Sequence, residues 1–227
     1  MPLKQTFGFL GAGRMATALA GGMVQAGLVK GRQLVASDVV ARTSKAFTKA
    51  TGGKALKSNR EVLRKADVVI IAVKPHQVMH LLSTLSSEAK SHHLFISIAA
   101  GVTLEQLEEV LGGKVRVIRV MPNTPALVGS GASALFAPPS ITEAQCDTAE
   151  SILRAVGITV WLTNEDQIDT VTALSGSGPA YFFYLMEAME ATACKLGLTP
   201  KMARLLTLET AIGAARLALE SSEDLSS

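Results

Sequence analysis

The sequence predicts an N-terminal α/β domain followed by an all-α C-terminal domain. Up to Thr163, short runs rich in β-branched and aromatic residues alternate with longer helical patterns. After Thr163 these runs stop, and residues from Gln167 to Glu220 have a helical pattern almost throughout. We therefore predict a first domain over residues 1–163 and a helical domain over residues 164–227.

The predicted strands of the first domain are apolar along their whole length. Such strands, alternating with helices, indicate a parallel sheet that is covered on both faces. In chain order the strands are TFGFL, QLVAS, DVVIIAV, HLFISIA, VRVIRVMP, ASALFAP and ITVWLT. The helical patterns between them are MATALAGGMVQAG, TSKAFTKAT, HQVMHLLSTLSSEAK, EQLEEVLG and TEAQCDTAESILRAVG.

The helical domain contains two long helices with clear start and stop signals. Pro179 marks the first turn of one helix and Gly197 its end, and Thr199 with Pro200 starts the next. Both helices are apolar over most of their circumference, so they require a partner surface. We expect an isologous homodimer or a higher homo-oligomer through these helices, whereas packing of both helices on their own sheet is the alternative.

Composition excludes several classes of protein. The net charge of +3 is scattered without a basic run and aromatic residues make up only 4%, which argues against a nucleic-acid partner. No segment approaches the ~18 uninterrupted apolar residues of a membrane span, and the N-terminus lacks a secretory pattern. Cys146 and Cys194 have no metal-ligand or disulfide spacing. We therefore expect no membrane association, no metal site and a cytoplasmic location.

A glycine-rich turn follows the first predicted strand. Gly11, Gly13 and Ala16 form G-x-G-x-x-A at the start of a predicted helix. Small residues there allow a tight turn, close approach of a pyrophosphate and close packing of helix on strand. A glycine turn made for packing alone is the alternative, but the strand-helix context favours a Rossmann-type dinucleotide-binding domain.

The end of the second predicted strand bears on the choice of nicotinamide cofactor. Ser37 lies there with Arg42 and Lys45 nearby, which favours the 2′-phosphate of NADPH. Asp38 favours the ribose hydroxyls of NADH instead. We expect NADPH, with NADH possible.

Three further motifs follow predicted strands. They are AVKP (Ala72 to Pro75), IAAGVT (Ile98 to Thr103) and MPNTP (Met121 to Pro125). Each motif alone could be an ordinary turn. Because open α/β sheets bind ligands beyond the carboxyl ends of their strands, we expect the three motifs to form one crevice.

The chain resembles the pyrroline-5-carboxylate reductase family over essentially its whole length. The resemblance rests on FLGAGRMA, SNREVL, AVKP, SIAAGVT, RVMPNTPALV and above all ALSGSGPAYFFYLMEAM. It implies NAD(P)H-dependent transfer of hydride to the C=N bond of 1-pyrroline-5-carboxylate, a small imine acid, which gives proline in the last step of its biosynthesis. It also implies a helical domain that dimerises.

Carried over residue by residue, the resemblance implies the following site. Glu165 matches an acidic residue near the substrate, although an exposed acid in the first turn of a helix is the alternative interpretation. The implied cofactor-binding residues are Gly11, Ala12, Gly13, Arg14, Met15, Ser37, Asn59, Ala72, Val73, Lys74, Pro75, Ala99, Ala100 and Gly101.

No catalytic residue is assigned from the sequence. The family's catalytic threonine lies in a Ser-Pro-Gly-Gly-Thr-Thr-like segment, and the sequence ends at SSEDLSS without it. Two alternatives to the reductase therefore stay open: a shortened, non-catalytic chain that binds dinucleotide and dimerises, and a related imine or β-hydroxyacid reductase. His76 and His80 have metal-like spacing on a helix but no third ligand, which favours ordinary helix positions.

Overall fold

The computed structural model describes residues 2–113 and 115–224. The chain divides into two compact units, the first ending at Gly176 and the second beginning at Ser177. The boundary predicted after residue 163 is the point where strand patterns end, whereas the division at Gly176 separates compact units. The two boundaries answer different questions, and the domain boundary at residue 163 stays a prediction. Predominantly parallel strands with intervening helices, followed by helices alone, confirm the predicted fold class.

The first unit is built around a sheet of eight strands in the described residues, in the order β3-β2-β1-β4-β5-β6-β7-β8. The four adjacent strands β2, β1, β4 and β5 are buried along their whole length, as expected for a sheet covered on both faces. The strands are β1 (Phe7–Leu10), β2 (Leu34–Ser37), β3 (Lys54–Ala55), β4 (Val68–Ile71), β5 (Leu94–Ser97), β6 (Arg116–Met121), β7 (Gly131–Phe136) and β8 (Gly157–Trp161).

The prediction of a wholly parallel sheet is wrong at its last two strands. Strand β7 pairs antiparallel with β6, and β8 pairs parallel with β7, so both run against the rest of the sheet. The connection from β6 to β7 spans only residues 122–130 and contains the 3-10 turn Thr124–Val128. That length is too short for a parallel crossover, which needs about a dozen residues or more.

Helices of the first unit cover the two faces of the sheet. Helices α1, α2 and α6 share one apolar cluster with β1, where the rings of Phe9 and Phe47 lie 5.5 Å apart. Helices α3, α4 and α5 contribute to the cluster on the other face. These helices are α1 (Arg14–Gln25), α2 (Ala41–Thr51), α3 (Asn59–Leu63), α4 (Pro75–Ser83), α5 (Leu104–Val110) and α6 (Glu143–Arg154), and the unit ends with α7 (Gln167–Val171) and the π-helical turn Thr172–Gly176.

Helix α4 is shorter than the pattern HQVMHLLSTLSSEAK predicts, because it ends at Ser83. The hydroxyls of Ser83, Thr84 and Ser86 each donate to the carbonyl three residues earlier. Such local side-chain bonds compete with the helical ladder, and the chain continues as turns. Strand β3 and helix α3 were not predicted, since both are shorter than the periodicity of apolar residues can reveal.

The second unit consists of α8 (Gly178–Lys195) and α9 (Pro200–Glu220), which pack against each other. Both helices begin with proline in the first turn, as predicted, and the Thr199 hydroxyl accepts a hydrogen bond from the Met202 N–H. Phe182 and Phe183 are each 64% exposed, so the described residues leave most of each side chain uncovered. None of the helices in the described part of the chain combines the length and the apolarity needed to cross a membrane.

Candidate cofactor and substrate site

The first glycine of the turn after β1 is required by the fold itself. Gly11 has a positive φ of 95°, and its N–H donates to the Ser37 carbonyl over 2.8 Å. A Cβ at this position would lie 2.7 Å from the Ala72 carbonyl oxygen. The backbone of the turn is therefore packed between the ends of β2 and β4, and Gly11 serves that packing.

The second glycine has no such reason within the chain. Gly13 is the N-cap of α1 with φ at −67°, a conformation that other residues adopt, and a Cβ there would meet nothing within 4 Å. Helix α1 starts without a side-chain cap and without an acidic residue in its first turn. An open, uncapped helix N-terminus beside a bare backbone fits the pyrophosphate of a dinucleotide.

Asp38 stabilises the glycine-rich turn. Its Oδ2 accepts a hydrogen bond from the Ala12 N–H and its Oδ1 one from the Val40 N–H, each over 2.8 Å. Each carboxylate oxygen of Asp38 thus accepts one backbone hydrogen bond, which orients the carboxylate toward the turn. Ser37, just before it, is buried at the end of β2.

A cavity of about 310 Å³ opens at the end of β2. Ser37, Lys57 and Asn59 all contribute to its wall. The Oδ1 atom of Asn59 is buried and has no hydrogen-bond partner in the described part of the chain. Since buried acceptors in folded proteins are nearly always paired, this oxygen fits a ligand hydroxyl or amine. Arg42 and Lys45, the cations expected here from the sequence, are exposed on α2 and do not line the cavity.

The three strand-end motifs lie along one edge of the sheet. Ile71, Ser97 and Arg119 are in register on the adjacent strands β4, β5 and β6. The motifs that follow these strands include Ala72 to Pro75 and Ala99 to Gly101, so the structure brings together the segments that the sequence assigned to one crevice. Pro75 begins α4, and Thr103 caps α5 by accepting a hydrogen bond from the Gln106 N–H.

Glu165 forms an ion pair with a buried arginine that was not predicted from the sequence. Its Oε1 pairs with the guanidinium of Arg119, which is only 4% exposed, and also accepts a hydrogen bond from the Leu104 N–H over 2.7 Å. The alternative interpretation of Glu165, an exposed acid in a helical first turn, is wrong, because Glu165 precedes α7 and stabilises the start of α5 instead. An arginine inside the apolar pattern VRVIRVM is the signal that could have revealed the pair.

The histidines that share a face of α4 are both exposed. His76 and His80 belong to no group of three or more potential metal-binding side chains in residues 2–113 and 115–224. The site is therefore described by its backbone turns, the Arg119–Glu165 pair and the cavity beside Ser37.

Two family models match the chain. Residues 165–227 match the model described as pyrroline-5-carboxylate reductase dimerisation, and residues 6–101 match that of an NADP oxidoreductase, coenzyme F420-dependent. The first match covers both helices of the second unit, which supports homo-oligomerisation. The second covers β1 to β5 and the glycine-rich turn.

Curated relatives and solved structures cover nearly the whole chain. The chain is 46% identical over 213 residues to a pyrroline-5-carboxylate reductase of Pseudomonas aeruginosa, covering 94% of this chain and 78% of the relative. It is 40% identical to that of Haemophilus influenzae over 212 residues, with coverage of 93% and 78%.

Among solved structures, the pyrroline-5-carboxylate reductase of Coxiella burnetii has a TM-score of 0.89 at 40% identity, covering 98% of this chain and 82% of that one. The Plasmodium falciparum pyrroline carboxylate reductase, solved with NADP bound, has the same TM-score and coverage at 30% identity. Since the similarity extends through both compact units and most of each relative, the chain belongs to the pyrroline-5-carboxylate reductase family.

Proposed function

We propose that this protein reduces the C=N bond of 1-pyrroline-5-carboxylate with NADPH, giving L-proline in the last step of its biosynthesis. The observation that carries the proposal is the 46% identity to a pyrroline-5-carboxylate reductase over 94% of the chain. The open backbone at Gly13 supports it independently, because a Cβ there would meet no protein atom within 4 Å and the space beside the start of α1 is free for a pyrophosphate.

The cofactor lies, in this proposal, along the carboxyl edge of the sheet. Residues Gly11 to Met15 hold the pyrophosphate through the first turn of α1. Ser37 and Asn59 hold the adenosine ribose, which supplies a donor for the unpaired Asn59 Oδ1. Ala72 to Pro75 and Ala99 to Gly101 border the nicotinamide.

When bound, NADPH supplies the hydride that forms the new C–H bond at the imine carbon. The C=N π electrons become the lone pair of the proline nitrogen, and protonation of the imine beforehand makes its carbon more electrophilic. The chain's own contribution is to position the two reactants, exclude water and stabilise charge.

Glu165 is the residue that we place nearest the imine nitrogen. Its Oε1 accepts from two donors, Arg119 and the Leu104 N–H, and is thereby fixed. Its Oε2 has no partner within the described residues, and the side chain is 25% exposed. An anchored carboxylate with one free oxygen can accept a hydrogen bond from a protonated imine, and the charge favours that protonated form.

The helices α8 and α9 form, in this proposal, the interface of an isologous homodimer. Phe182, Phe183 and Tyr184 are between 64% and 76% exposed, which is unusual for consecutive aromatic residues in a folded helix. An obligate interface of this kind buries about 2,000 Å² or more. We also propose a cytoplasmic location and no nucleic-acid partner; the free thiols of Cys146 and Cys194 favour a reducing compartment.

The test is oxidation of NADPH by the purified protein, followed through nicotinamide absorbance, with 1-pyrroline-5-carboxylate as substrate. Oxidation of 3-hydroxyisobutyrate with NADP⁺ is the comparison reaction for the hydroxyacid alternative. We expect turnover of the imine and formation of proline. Binding of NADPH without turnover of the imine would contradict the reductase assignment, and so would a preference for the hydroxy acid.

A further inference from the structure

The cavity at the end of β2 combines a donor, an acceptor and a cation that have no partners of their own. The Ser37 hydroxyl makes no hydrogen bond within the described residues, and the buried Asn59 Oδ1 is unpaired. Lys57 lines the same cavity. At about 310 Å³, the cavity is large enough for a fragment of a nucleotide.

The other charged groups of this cavity are already engaged. Both oxygens of Asp38 accept from backbone N–H groups. The guanidinium of Arg60 donates to the Thr84 carbonyl over 3.2 Å and lies 3.4 Å from a carboxylate oxygen of Glu88. The charge of Arg60 is therefore partly compensated by Glu88, whereas the Asp38 carboxylate is hydrogen-bonded by neutral donors and keeps its negative charge.

Lys57 differs from these groups. Its backbone N–H approaches the Glu61 carboxylate at 3.4 Å, but its side-chain ammonium has no ion-pair partner among the residues that the structure describes. The side chain is exposed. It is thus the one uncompensated cation on the wall of this cavity in the described part of the chain.

We propose that Lys57 is the specificity-determining residue for the 2′-phosphate of NADPH. With the neighbouring Ser37 hydroxyl as a second donor, its ammonium makes a charge-assisted hydrogen bond to the phosphate, while Asn59 accepts from the ribose. This assignment rests on the proposed function, because it presumes that the glycine-rich turn binds a dinucleotide. It replaces Arg42 and Lys45, which lie on α2 outside the cavity wall.

The experiment compares binding of 2′,5′-ADP and 5′-AMP by calorimetric titration, since the two nucleotides differ only in the 2′-phosphate. The parent protein should prefer 2′,5′-ADP. Lys57→Gln should reduce that preference about tenfold, which is ~1.4 kcal/mol. The variant should bind 2′,5′-ADP more weakly than the parent does and should bind 5′-AMP with unchanged affinity. Lys57→Arg should restore it, because the cation returns.

Lys65→Gln is the matched control, since Lys65 is also an exposed lysine next to α3 but does not line the cavity. Arg42→Gln and Lys45→Gln test the competing assignment. An unchanged preference in Lys57→Gln, or a larger loss in either α2 variant, would overturn the inference.

The same titrations separate this inference from the proposed function. A protein that reduces the imine but keeps its 2′-phosphate preference without Lys57 overturns only the role of Lys57. A parent protein that binds neither nucleotide overturns the cofactor site itself, and with it both proposals.

Discussion

The two compact units of this protein treat the same kind of side chain in opposite ways. In the first unit, Phe9 and Phe47 pack ring against ring and are 0% exposed. In the second, Phe182 and Phe183 are each 64% exposed. The difference shows that the first unit completes its apolar core within one chain, whereas the second has surface that is suited to burial by another molecule.

The physical reason lies in the number of layers. A sheet with helices on both faces buries its strands completely, as β1 and β4 show. Two helices that pack on each other can cover only one stripe of each, and α8 and α9 are apolar beyond that stripe. Dinucleotide binding and oligomerisation are therefore assigned to different units of the chain.

The largest effect should come from placing a charge on the exposed helical surface. Phe183→Asp buries one carboxylate per subunit in the proposed interface, and the desolvation of each costs several kcal/mol. We expect the dimer dissociation constant to rise more than roughly thousandfold. Sedimentation equilibrium measures it, with Phe183→Leu as the apolar control. A parent protein that is a stable monomer at micromolar concentration would break the comparison between the units.

The second effect concerns the core of the first unit. Phe47→Ala should lower the free energy of unfolding by about 3–5 kcal/mol, because it removes a fully buried ring and leaves a cavity beside Phe9. Urea unfolding measures the loss. Phe182→Ala is the matched change at an exposed position. Its effect on stability should depend on protein concentration, and equal, concentration-independent losses would contradict the distinction.

The third effect compares two glycines of the first unit. Gly11 is required by the packing of the turn, whereas Gly13 leaves space for the proposed pyrophosphate. Gly13→Val should weaken NADPH binding at least about hundredfold, or ~2.8 kcal/mol, because its side chain enters the space for the pyrophosphate. Its thermal midpoint should stay close to that of the parent, since the position is open.

Gly11→Ala is the contrasting variant, because its Cβ would clash with the Ala72 carbonyl and its φ is positive. Gly11→Ala should therefore lower the thermal midpoint in addition to weakening NADPH binding. Nicotinamide fluorescence titration and a thermal melt separate the two outcomes. Tight NADPH binding by Gly13→Val would show that this backbone does not contact the cofactor.

The smallest effect is a pH dependence of stability in the first unit. Burial lowers the pKa of the His93 imidazole below its ordinary value of 6.5, and neighbouring His92 lowers it further. As pH falls below about 6.5, the unfolded chain gains a proton at this site that the folded chain does not, so stability decreases. The decrease ends below the pKa of the folded state.

Urea unfolding between about pH 7.5 and about pH 5.5 measures this effect, whose slope cannot exceed about 1.4 kcal/mol per pH unit. His93→Gln, which can still accept the hydrogen bond from the Lys90 N–H, should flatten the slope. His80→Gln, at an exposed position of α4, is the control. An equal slope in the parent and His93→Gln would exclude His93 as its source.

Much of the fold was predictable because local sequence patterns determine where its strands and helices begin and end. Buried strands such as DVVII and the proline and threonine signals of α8 and α9 depend on residues that are neighbours in sequence. The reversal at β7 was not predictable in the same way, because it depends on the short connection 122–130 and not on the strand's own composition.

The site shows the same division between local and long-range information. The glycine-rich turn and Ser37 follow from motif and strand position. Two other contacts are visible only in the folded chain. Glu165 pairs with Arg119, which is 46 residues away, and Asp38 accepts a hydrogen bond from the Ala12 N–H. Lys57 is also a product of the fold, since the pairing of β3 with β2 and the hydrogen bond from the Leu56 N–H to the Ala36 carbonyl bring it to the cavity beside Ser37.

The most direct test of the central claim is transfer of deuterium from NADPH that is labelled at C4 of the nicotinamide. With 1-pyrroline-5-carboxylate as substrate, we predict proline that carries one deuterium at its δ carbon, located by nuclear magnetic resonance and counted by mass spectrometry. C4 of NADPH carries two hydrogens, so the cofactor is labelled at each of them in turn. If neither labelled cofactor gives proline with deuterium at the δ carbon, or if no proline forms, hydride transfer to the imine by this protein is contradicted.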